Sequence, residues 1–254
     1  MNIKKLQKNW NTFGKTDPLW AIVNWPDKKG NRWQLNEFFQ TGVREIDEVM
    51  TYVDSLTIDV PRQKAMDFGC GVGRLTQRLA DYFDEVYGID IAPSMIELAQ
   101  KYNNHGSRCK YVLNDTDNLM AFMDCSFEFI YSSITLQHMQ PRYAANYIRE
   151  FLRILVPNGL LIFQLPSEQQ FKLRDIRSGG GLKEFVKALT PEILRAFYQR
   201  AYAGVSRRRM EMYGMRHQDV IKLLEENGSR IVDITQDQNA GPGWKSYRYC
   251  VSKK

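Results

Sequence analysis

The chain has 254 residues, of which 43% are hydrophobic and 25% are charged. This balance is typical of a soluble globular protein and excludes a disordered chain, a collagen-like repeat and a small disulfide scaffold. The formal net charge is +6, and residues 168–216 carry eleven Lys and Arg against five Asp and Glu. That segment therefore accounts for the entire positive excess.

The sequence gives no sign of a membrane span or a metal site. Its longest mainly apolar run, residues 159–165, which Gln164 interrupts, is about a third of the roughly 20 residues that a spanning helix needs. No apolar stretch follows the lysines at the amino terminus, so we expect no secretory signal and a cytoplasmic location. The cysteines form no C-x-x-C pair, so we expect them to be reduced and to bind no metal: Cys70, Cys109, Cys125 and Cys250.

The first 33 residues are rich in tryptophan: Trp10, Trp20, Trp25 and Trp33. Prolines and a glycine break this stretch, which shows no helical or strand period, so we predict an irregular aromatic cap. Rings at this density are expected to be buried, either against the body of the domain or against a ligand. A helix is predicted next, from apolar residues at helical spacing: Ile46, Val49, Met50, Val53 and Leu56.

Strand and helix patterns then alternate. Strands are predicted at residues 64–68, 85–90, 109–114, 127–133 and 160–165. Helices are predicted at residues 72–83, 94–103 and 143–155, the second opened by a capping box of Ser94 and Glu97. Strict alternation predicts a Rossmann-like α/β fold, with a mostly parallel sheet and helices on both faces.

The carboxyl-terminal part departs from this alternation. A helix at residues 218–227 precedes strands at 230–235 and 246–251. The loop of about ten residues between these strands is too short for a helical crossover, so they should pair antiparallel and complete a seven-stranded sheet. We therefore expect a cap with one helix (1–61), a ligand-binding core (62–166), a basic insert (167–216) and a closing helix with two strands (217–254).

A glycine-rich segment, Asp67-Phe68-Gly69-Cys70-Gly71-Val72-Gly73-Arg74, joins the first strand of the core to its first helix. Glycines allow a tight turn and a close approach to a ligand, and the helix start offers free N–H groups. A dinucleotide fingerprint would have its third glycine where Arg74 stands. Asp67 would repel a pyrophosphate and attract an ammonium group. The predicted ligand is a nucleoside with an amine and no phosphate.

Two further strand ends fit such a ligand. Asp90 ends the second strand, where its carboxylate can accept hydrogen bonds from both ribose hydroxyls. Ile91 and Met95 are placed to pack against an adenine ring. Asn114-Asp115-Thr116, at the end of the third strand, offers polar groups to the adenine edge.

These segments, together with residues 88–95, 127–133 and Leu136-Gln137-His138, resemble the successive motifs of class I S-adenosylmethionine-dependent methyltransferases. The variant is most similar to the small-molecule group called type 11 or type 12 methyltransferase domains. The resemblance covers roughly residues 62–166, with the closing strands extending it. It implies strand order 3-2-1-4-5-7-6 with strand 7 antiparallel, S-adenosylmethionine as cofactor, S-adenosylhomocysteine as product, and no metal.

The resemblance also implies roles for single residues. Asp67 would lie near the methionine amine, Asp90 on the ribose, and Asp115 near the adenine amine. Gly69 and Gly71 would lie against the cofactor. Leu119-Met120 replaces the usual apolar-Pro pair after Asp115, a departure on the adenine side. The full candidate set adds Cys70, Gly73, Arg74, Ile91, Met95, Asn114, Thr116 and Ser132.

Three side chains keep alternative interpretations: Arg74, His138 and His217. Arg74 either pairs with a carboxylate near the loop or is solvated on the first helical turn. His138 follows the fourth strand, where it is either a packing residue or a general base for a hydroxyl or amine nucleophile. His217 is expected on the surface or at a helix cap, and His105 in a loop with no partner evident from the sequence.

The expected activity is in-line methyl transfer to an oxygen or nitrogen of a small molecule, a glycan or a secondary metabolite, in which alignment alone supplies much of the acceleration. Ser132-Ser133-Ile134-Thr135 stands where nucleic-acid amino methyltransferases carry [DNS]-P-P-[FYW], and no cysteine is near for pyrimidine carbon methylation. Both classes are disfavoured. The acceptor is expected between the aromatic cap and the basic insert.

Two alternative functions remain open. Arg207-Arg208-Arg209, with Tyr198, Tyr202 and Tyr213 nearby, offers charge and stacking to an RNA or nucleotide-linked acceptor. A solvated basic helix is the other interpretation of that segment. The domain could instead bind the cofactor without turnover, as a sensor or scaffold. The sequence does not determine the oligomeric state.

Overall fold

The computed structural model describes residues 2–170, 210–241 and 243–254. Its strands form a seven-stranded sheet in the order β3-β2-β1-β4-β5-β7-β6. They are β1 (Lys64–Phe68), β2 (Glu85–Asp90), β3 (Cys109–Leu113), β4 (Phe127–Ser132), β5 (Leu155–Gln169), β6 (Ser229–Asp237) and β7 (Trp244–Lys253). The first five run parallel, and β7 is antiparallel to both neighbours. The predicted fold class and strand order are confirmed.

Helices cover both faces of this sheet. They are α1 (Ile3–Thr16), α2 (Pro18–Ile22), α3 (Leu35–Ser55), α4 (Arg74–Leu79), α5 (Pro93–Tyr102), α6 (Pro141–Ile154) and α7 (His217–Glu226). On one face Phe68 packs against Phe151 of α6, with ring centroids 4.9 Å apart. On the other, Ala65 is buried with Ile46 of α3 and Leu79 of α4. Alternate residues of β1 thus anchor opposite layers.

The amino-terminal segment differs from the predicted irregular cap. Residues 3–22 are mostly helical, and Asn2 caps α1 by accepting the Lys5 N–H at 2.9 Å. Ile3, Leu6 and Trp10 lie on one face of α1, so a helical apolar period is present after all. The expectation that the tryptophans are buried holds for Trp33, which packs against Phe38, whereas Trp25 is 43% exposed.

One predicted helix start and one predicted capping box are wrong, and α6 begins at Pro141, two residues before its predicted start. The helix predicted from residue 72 begins at Arg74, because Gly73 caps it in the left-handed conformation with a φ of 83°. The capping box at Ser94 is not formed. The cap of α5 is Ala92, and the Ser94 hydroxyl instead donates to the Asn11 carbonyl of α1 at 2.9 Å. Ser94 therefore joins two helices rather than closing one.

β5 is longer than predicted, because it pairs with β4 on one side and with β7 over most of its length on the other. Most of the predicted basic insert, including Gly179–Gly181 and Arg207–Arg209, lies outside the described residues. Within the described residues, no helix is long and apolar enough to cross a membrane. All four cysteines are free thiols.

Candidate active site

The loop between β1 and α4 turns through three glycines in the left-handed region. The φ values are 86° at Gly69, 54° at Gly71 and 83° at Gly73, which side chains with a Cβ rarely adopt. A Cβ at Gly69 would collide with the Thr135 side chain, and one at Gly71 would collide with Ile22. Both the backbone angles and the close neighbours therefore restrict these positions to glycine.

Asp90 ends β2 beside this loop and lines the cavity described below. Its Oδ2 accepts the Gly71 N–H at 2.9 Å, and its Oδ1 accepts the Ala92 N–H at 2.8 Å. Burial raises the pKa of this carboxyl to about 6, and the backbone donors oppose the shift. Asp90 is therefore mostly ionised above neutral pH, with lone pairs left on both oxygens for further donors.

Asp67 lies behind the loop, on the face of the sheet that α4 covers. The residue is 1% exposed, and its Oδ2 accepts the Thr76 hydroxyl at 2.6 Å. Burial raises the pKa of Asp67 to about 7, although the Thr76 hydrogen bond and the charge of Arg74 lower it. The predicted contact between Asp67 and a ligand amine stays a prediction.

A cavity opens where the carboxyl ends of the strands meet the amino-terminal helices. It encloses about 950 Å³, counted out to its opening to solvent. Its wall contains eight of the predicted cofactor-binding residues: Gly69, Cys70, Gly71, Arg74, Asp90, Ile91, Met95 and Asn114. As the described residues define it, the wall does not include Asp67, Gly73, Asp115, Thr116 or Ser132. The structure thus gathers most of the predicted set in one place.

The opposite wall comes from the amino terminus. Ile3, Leu6 and Trp10 of α1 line the cavity, as do Ala21 and Ile22 of α2. These side chains are apolar, and Ile22 lies directly against Gly71 of the glycine loop. The first 22 residues therefore contribute directly to the site and do not merely cover it.

Hydrogen bonds fix α1 in that position. The Asn11 side chain accepts the Ser94 N–H at 3.0 Å, and the Asn11 carbonyl accepts the Ser94 hydroxyl at 2.9 Å. The Gln7 amide donates to the Ile91 carbonyl at 3.2 Å. A Cβ on Gly14 would collide with Ser94, which shows how closely α1 approaches α5.

The adenine side of the predicted site is only partly inside the cavity. The Asn114 amide donates to the Tyr147 hydroxyl at 3.1 Å, and both residues line the cavity. Thr116 donates to the Asn114 side-chain oxygen at 2.8 Å. Asp115 is exposed and pairs with Lys4 of α1 at 2.9 Å, a contact that lowers the pKa of Asp115. Lys4 therefore forms an ion pair with the carboxylate that was predicted to lie near the adenine amine.

Arg74 pairs with a carboxylate, which was the first of the two alternatives predicted for it. Its guanidinium pairs with Glu45 at 2.7 Å and donates to the Thr41 hydroxyl at 3.3 Å. Glu45 also accepts the Tyr131 hydroxyl at 3.0 Å. Arg74 lines the cavity, and its buried Nε has no partner among the described residues. That N–H is also shielded from the cavity, so a ligand reaches it only if the Arg74 side chain moves.

The end of β4 and the segment after it lie beside the glycine loop. Ser132 is buried and donates to the Phe68 carbonyl at 3.1 Å, joining β4 to β1. Ser133, Ile134 and Thr135 line the cavity. Ile134 has a φ of 56°, which is rare for a β-branched residue and marks a tight turn held by its surroundings.

His138 lies between this cavity and a smaller cleft lined by Trp10, Phe13, Met210 and Glu211. Its Nδ1 is 2.9 Å from the Glu211 carbonyl, so the ring N–H donates there. The Trp10 ring meets the imidazole edge-on at 5.0 Å between centroids. Burial lowers the pKa of His138, so the ring stays neutral near pH 7. A neutral imidazole at a cavity wall can receive a proton.

The other two histidines lie elsewhere. His217 begins α7 and stacks on Tyr247 with centroids 4.2 Å apart, and its Nδ1 is 3.0 Å from the Tyr249 hydroxyl. It is half-buried rather than on the surface. His105 has a partner that the sequence did not reveal, Asp81, at 3.1 Å.

A family model described as a methyltransferase domain matches residues 66–163. Phosphoethanolamine N-methyltransferase 3 of Arabidopsis thaliana is 32% identical over 127 residues, covering 49% of this chain and 25% of that protein. A ubiquinone biosynthesis O-methyltransferase of Xanthomonas oryzae pv. oryzae is 27% identical over 132 residues, covering 52% of this chain and 54% of that protein. The similarity therefore spans about a quarter to a half of these relatives.

Solved structures agree on the fold. Magnesium protoporphyrin IX methyltransferase from Synechocystis PCC 6803, with bound S-adenosylhomocysteine, matches with a TM-score of 0.65 at 17% identity, covering 99% of each chain. The chain contains a class I S-adenosylmethionine-dependent methyltransferase domain. The resemblance inferred from the glycine and acid motifs is confirmed.

The cavity of this methyltransferase domain fits S-adenosylmethionine. Asp90 offers carboxylate lone pairs for ribose hydroxyls, and Ile91 and Met95 offer an apolar surface for the adenine. Arg74 also lines the cavity, with its guanidinium paired to Glu45. Within the described residues, no group of three or more His, Cys, Asp or Glu is arranged to hold a metal ion.

Several residues that line the cavity were not predicted from the sequence. They are Ile3, Leu6, Ala21, Ile22, Phe68, Leu75, Ile89, Ser133, Ile134, Thr135, Met139 and Tyr147. The amphipathic spacing of Ile3, Leu6 and Trp10 was the available signal for the helical wall. The positive φ of Ile134 has no sequence signal, because nothing in a β-branched residue predicts that conformation.

Proposed function

We propose that this chain transfers a methyl group from S-adenosylmethionine to an oxygen or nitrogen nucleophile of a small-molecule acceptor. One observation carries the proposal: Asp90, the glycine loop and a neutral His138 line the same cavity. A site that only bound the cofactor would have no need of a proton acceptor at this wall. The chain thus provides both a place for the methyl donor and a base for the acceptor.

The binding roles follow from the contacts. Asp90 would accept the two ribose hydroxyls while keeping its bonds to the loop backbone. Asn114 and Tyr147 would meet the adenine edge. We propose residues 62–166 as the cofactor-binding core and the amino-terminal helices as its second wall.

Bound S-adenosylmethionine supplies a methyl group on a positively charged sulfur, which leaves as a neutral thioether. The tasks of the protein are to align the acceptor with that methyl group and to exclude water. The neutral His138 takes the proton of the acceptor through Nε2, because Nδ1 already donates to the Glu211 carbonyl. A hydroxyl or amine acceptor therefore loses its proton as the new bond forms.

We place the acceptor on the His138 side of the cavity, toward the smaller cleft. Trp10 and Phe13 of α1 face Met210 and Glu211 there, so the cleft lies between the predicted cap and the end of the predicted insert. The cleft itself holds about 200 Å³, counted out to solvent, so a small organic acceptor, such as a secondary metabolite or a glycan with an apolar part, would lie mainly in the larger cavity. The relatives are named for both nitrogen and oxygen methylation, so the proposal keeps both nucleophiles.

The test is an acceptor panel of phenols, amines and hydroxylated apolar metabolites, with release of S-adenosylhomocysteine as readout. We expect release with at least one acceptor, loss of that release in His138→Ala, and S-adenosylmethionine affinity retained in that variant. An unchanged rate in His138→Ala would remove the histidine from the chemistry. Tight cofactor binding without turnover on any acceptor would favour the sensor or scaffold alternative.

The nucleic-acid alternative depends on the basic segment, most of which lies outside the described residues. It stays a prediction. Adding a short single-stranded RNA to the panel tests it, since acceptor binding to a polyanion should weaken steeply between low and moderate salt.

A further inference from the structure

A row of buried polar side chains lies behind the candidate base. Gln137, His138, Gln164 and Ser246 are each more than nine-tenths buried, although they belong to three separate segments of the chain. Polar side chains at this depth are costly unless they are paired. Their hydrogen bonds form one continuous row that begins and ends on backbone groups.

The first end of the row fixes the orientation of Gln164. The Ile134 backbone N–H lies 3.2 Å from one side-chain atom of Gln164, and a backbone N–H can only donate, so that atom is the amide oxygen. The Gln164 nitrogen must then face its two other partners. It donates to Ser246 Oγ at 2.6 Å and to Gln137 Oε1 at 3.3 Å.

The orientation of the Gln137 amide in turn determines the tautomer of His138. Because its oxygen accepts from Gln164, its amide nitrogen faces His138 Nε2, at 3.4 Å. An amide nitrogen only donates, so Nε2 must be the unprotonated nitrogen. At the other end, the Glu211 carbonyl only accepts, so Nδ1 must carry the proton. The two ends require the same tautomer independently.

We propose that Gln164 and Gln137 are positioning residues, an amide relay that holds His138 with its Nε2 lone pair free of a proton and ready to accept the acceptor's proton. The base role rests on the proposed function, whereas the relay itself does not. The Gln137 contact is long, so an acceptor hydroxyl or amine can displace it. Gln164 still donates to the Gln137 oxygen, and Ser246 holds Gln164, so the Gln137 amide keeps its orientation.

The charged and aromatic groups around the His138 ring are consistent with the Nδ1–H tautomer. Glu211 turns its carboxylate to the Tyr213 hydroxyl, and Lys5 of α1 lies 3.8 Å from that carboxylate. Trp10 presents a ring to the imidazole. Burial is the largest influence on the protonation of His138, and the hydrogen bond to the Glu211 carbonyl acts against it.

The decisive variant is Gln164→Glu, which keeps the shape of the side chain and, once ionised, has no donor. The new carboxylate would draw the Gln137 nitrogen toward itself, so Gln137 would turn its oxygen to Nε2 and favour a proton there. We expect ¹⁵N-edited NMR to show the Nδ1–H tautomer of neutral His138 in the wild type, with the titration midpoint raised by about one pH unit or more in the variant. The chain has three histidines, and the spectrum of His138→Ala assigns the signal.

Gln77→Glu is the matched control. Gln77 is equally buried, and its side-chain oxygen accepts the Asn104 backbone N–H at 3.1 Å, but it lies on α4. We expect no shift of the His138 midpoint in this variant. An equal shift in both variants would show a general effect of a buried charge and overturn the relay.

Gln137→Met provides the second line of evidence should Gln164→Glu not fold. Loss of the donor to Nε2 removes a bond that favours the neutral ring, so the midpoint should rise, though less than in Gln164→Glu. An unchanged midpoint in a folded Gln137→Met, or an Nε2–H tautomer in the wild type, overturns the proposal. These spectra need neither cofactor nor acceptor, so failure of the relay is distinguishable from failure of the methyltransferase proposal.

Discussion

The two walls of the cavity are built on different principles. The sheet-edge wall consists of residues at strand ends, such as Gly69, Gly71 and Asp90, whose positions follow from a short motif. The helical wall consists of apolar residues of α1 and α2, such as Leu6 and Ile22, which reach the cavity only because α1 docks on α5. Local sequence therefore determines the first wall, and tertiary packing determines the second.

The largest expected effect is on the sheet-edge wall. Asp90→Ala should weaken S-adenosylmethionine binding by about 100-fold or more, because each hydrogen bond to a charged group contributes about 1.5–3 kcal/mol. Isothermal titration calorimetry measures this directly. The variant also leaves the Gly71 and Ala92 N–H groups unpaired, so thermal unfolding must be measured alongside. Unchanged affinity in a folded variant would remove Asp90 from the cofactor site.

The helical wall should affect turnover more than cofactor binding. Trp10→Ala removes the ring that packs on His138 and lines both the cavity and the cleft. We expect kcat/KM to fall about 10-fold through poorer alignment, with a much smaller change in cofactor affinity. Trp25→Ala is the control, because Trp25 is 43% exposed and packs on Trp33. Equal losses in both variants would indicate a general loss of stability.

The difference between the sheet-edge wall and the helical wall also explains which features the sequence could predict. β1 and β2 were predicted to the residue, because each is a short buried strand followed by a turn signal. Asp90 was placed correctly beside the loop, since strand ends in a parallel sheet share one edge. α1 was missed, because asparagine, threonine and glycine lower its helix propensity and its stability comes from docking. Asp67 is beside the correct loop, but its side chain lies on the α4 face.

A pH experiment tests that placement of Asp67. Its pKa is raised to about 7 in the folded protein, against about 3.9 in an unfolded chain. Its contribution to stability is therefore fully present below pH 4 and lost as the pH rises through 7. Asn stays neutral, so Asp67→Asn should be more stable than wild type at pH 8, by about 1–3 kcal/mol, and similar to it near pH 4.

Urea unfolding of both proteins at pH 4, 6 and 8 measures this difference. His138 acts in the opposite direction, because its lowered pKa removes stability as the pH falls, but it is common to both proteins and cancels. A gap between the two proteins that does not change with pH would show that the Asp67 carboxyl is ionised throughout.

The smallest effect is expected where the two walls meet, at the ion pair between Lys4 of α1 and Asp115 after β3. Both side chains are about half exposed or more, so solvent and salt screen their attraction. Lys4→Ala should change S-adenosylmethionine affinity by less than about threefold, with the difference fading at high salt. Comparing Lys4→Ala, Asp115→Ala and the double variant separates the two roles of the Asp115 carboxylate.

If Asp115 only holds Lys4, the two single variants and the double variant should all have the same S-adenosylmethionine affinity. If Asp115 contacts the adenine amine, its removal should weaken binding more than the loss of Lys4, with or without Lys4 present.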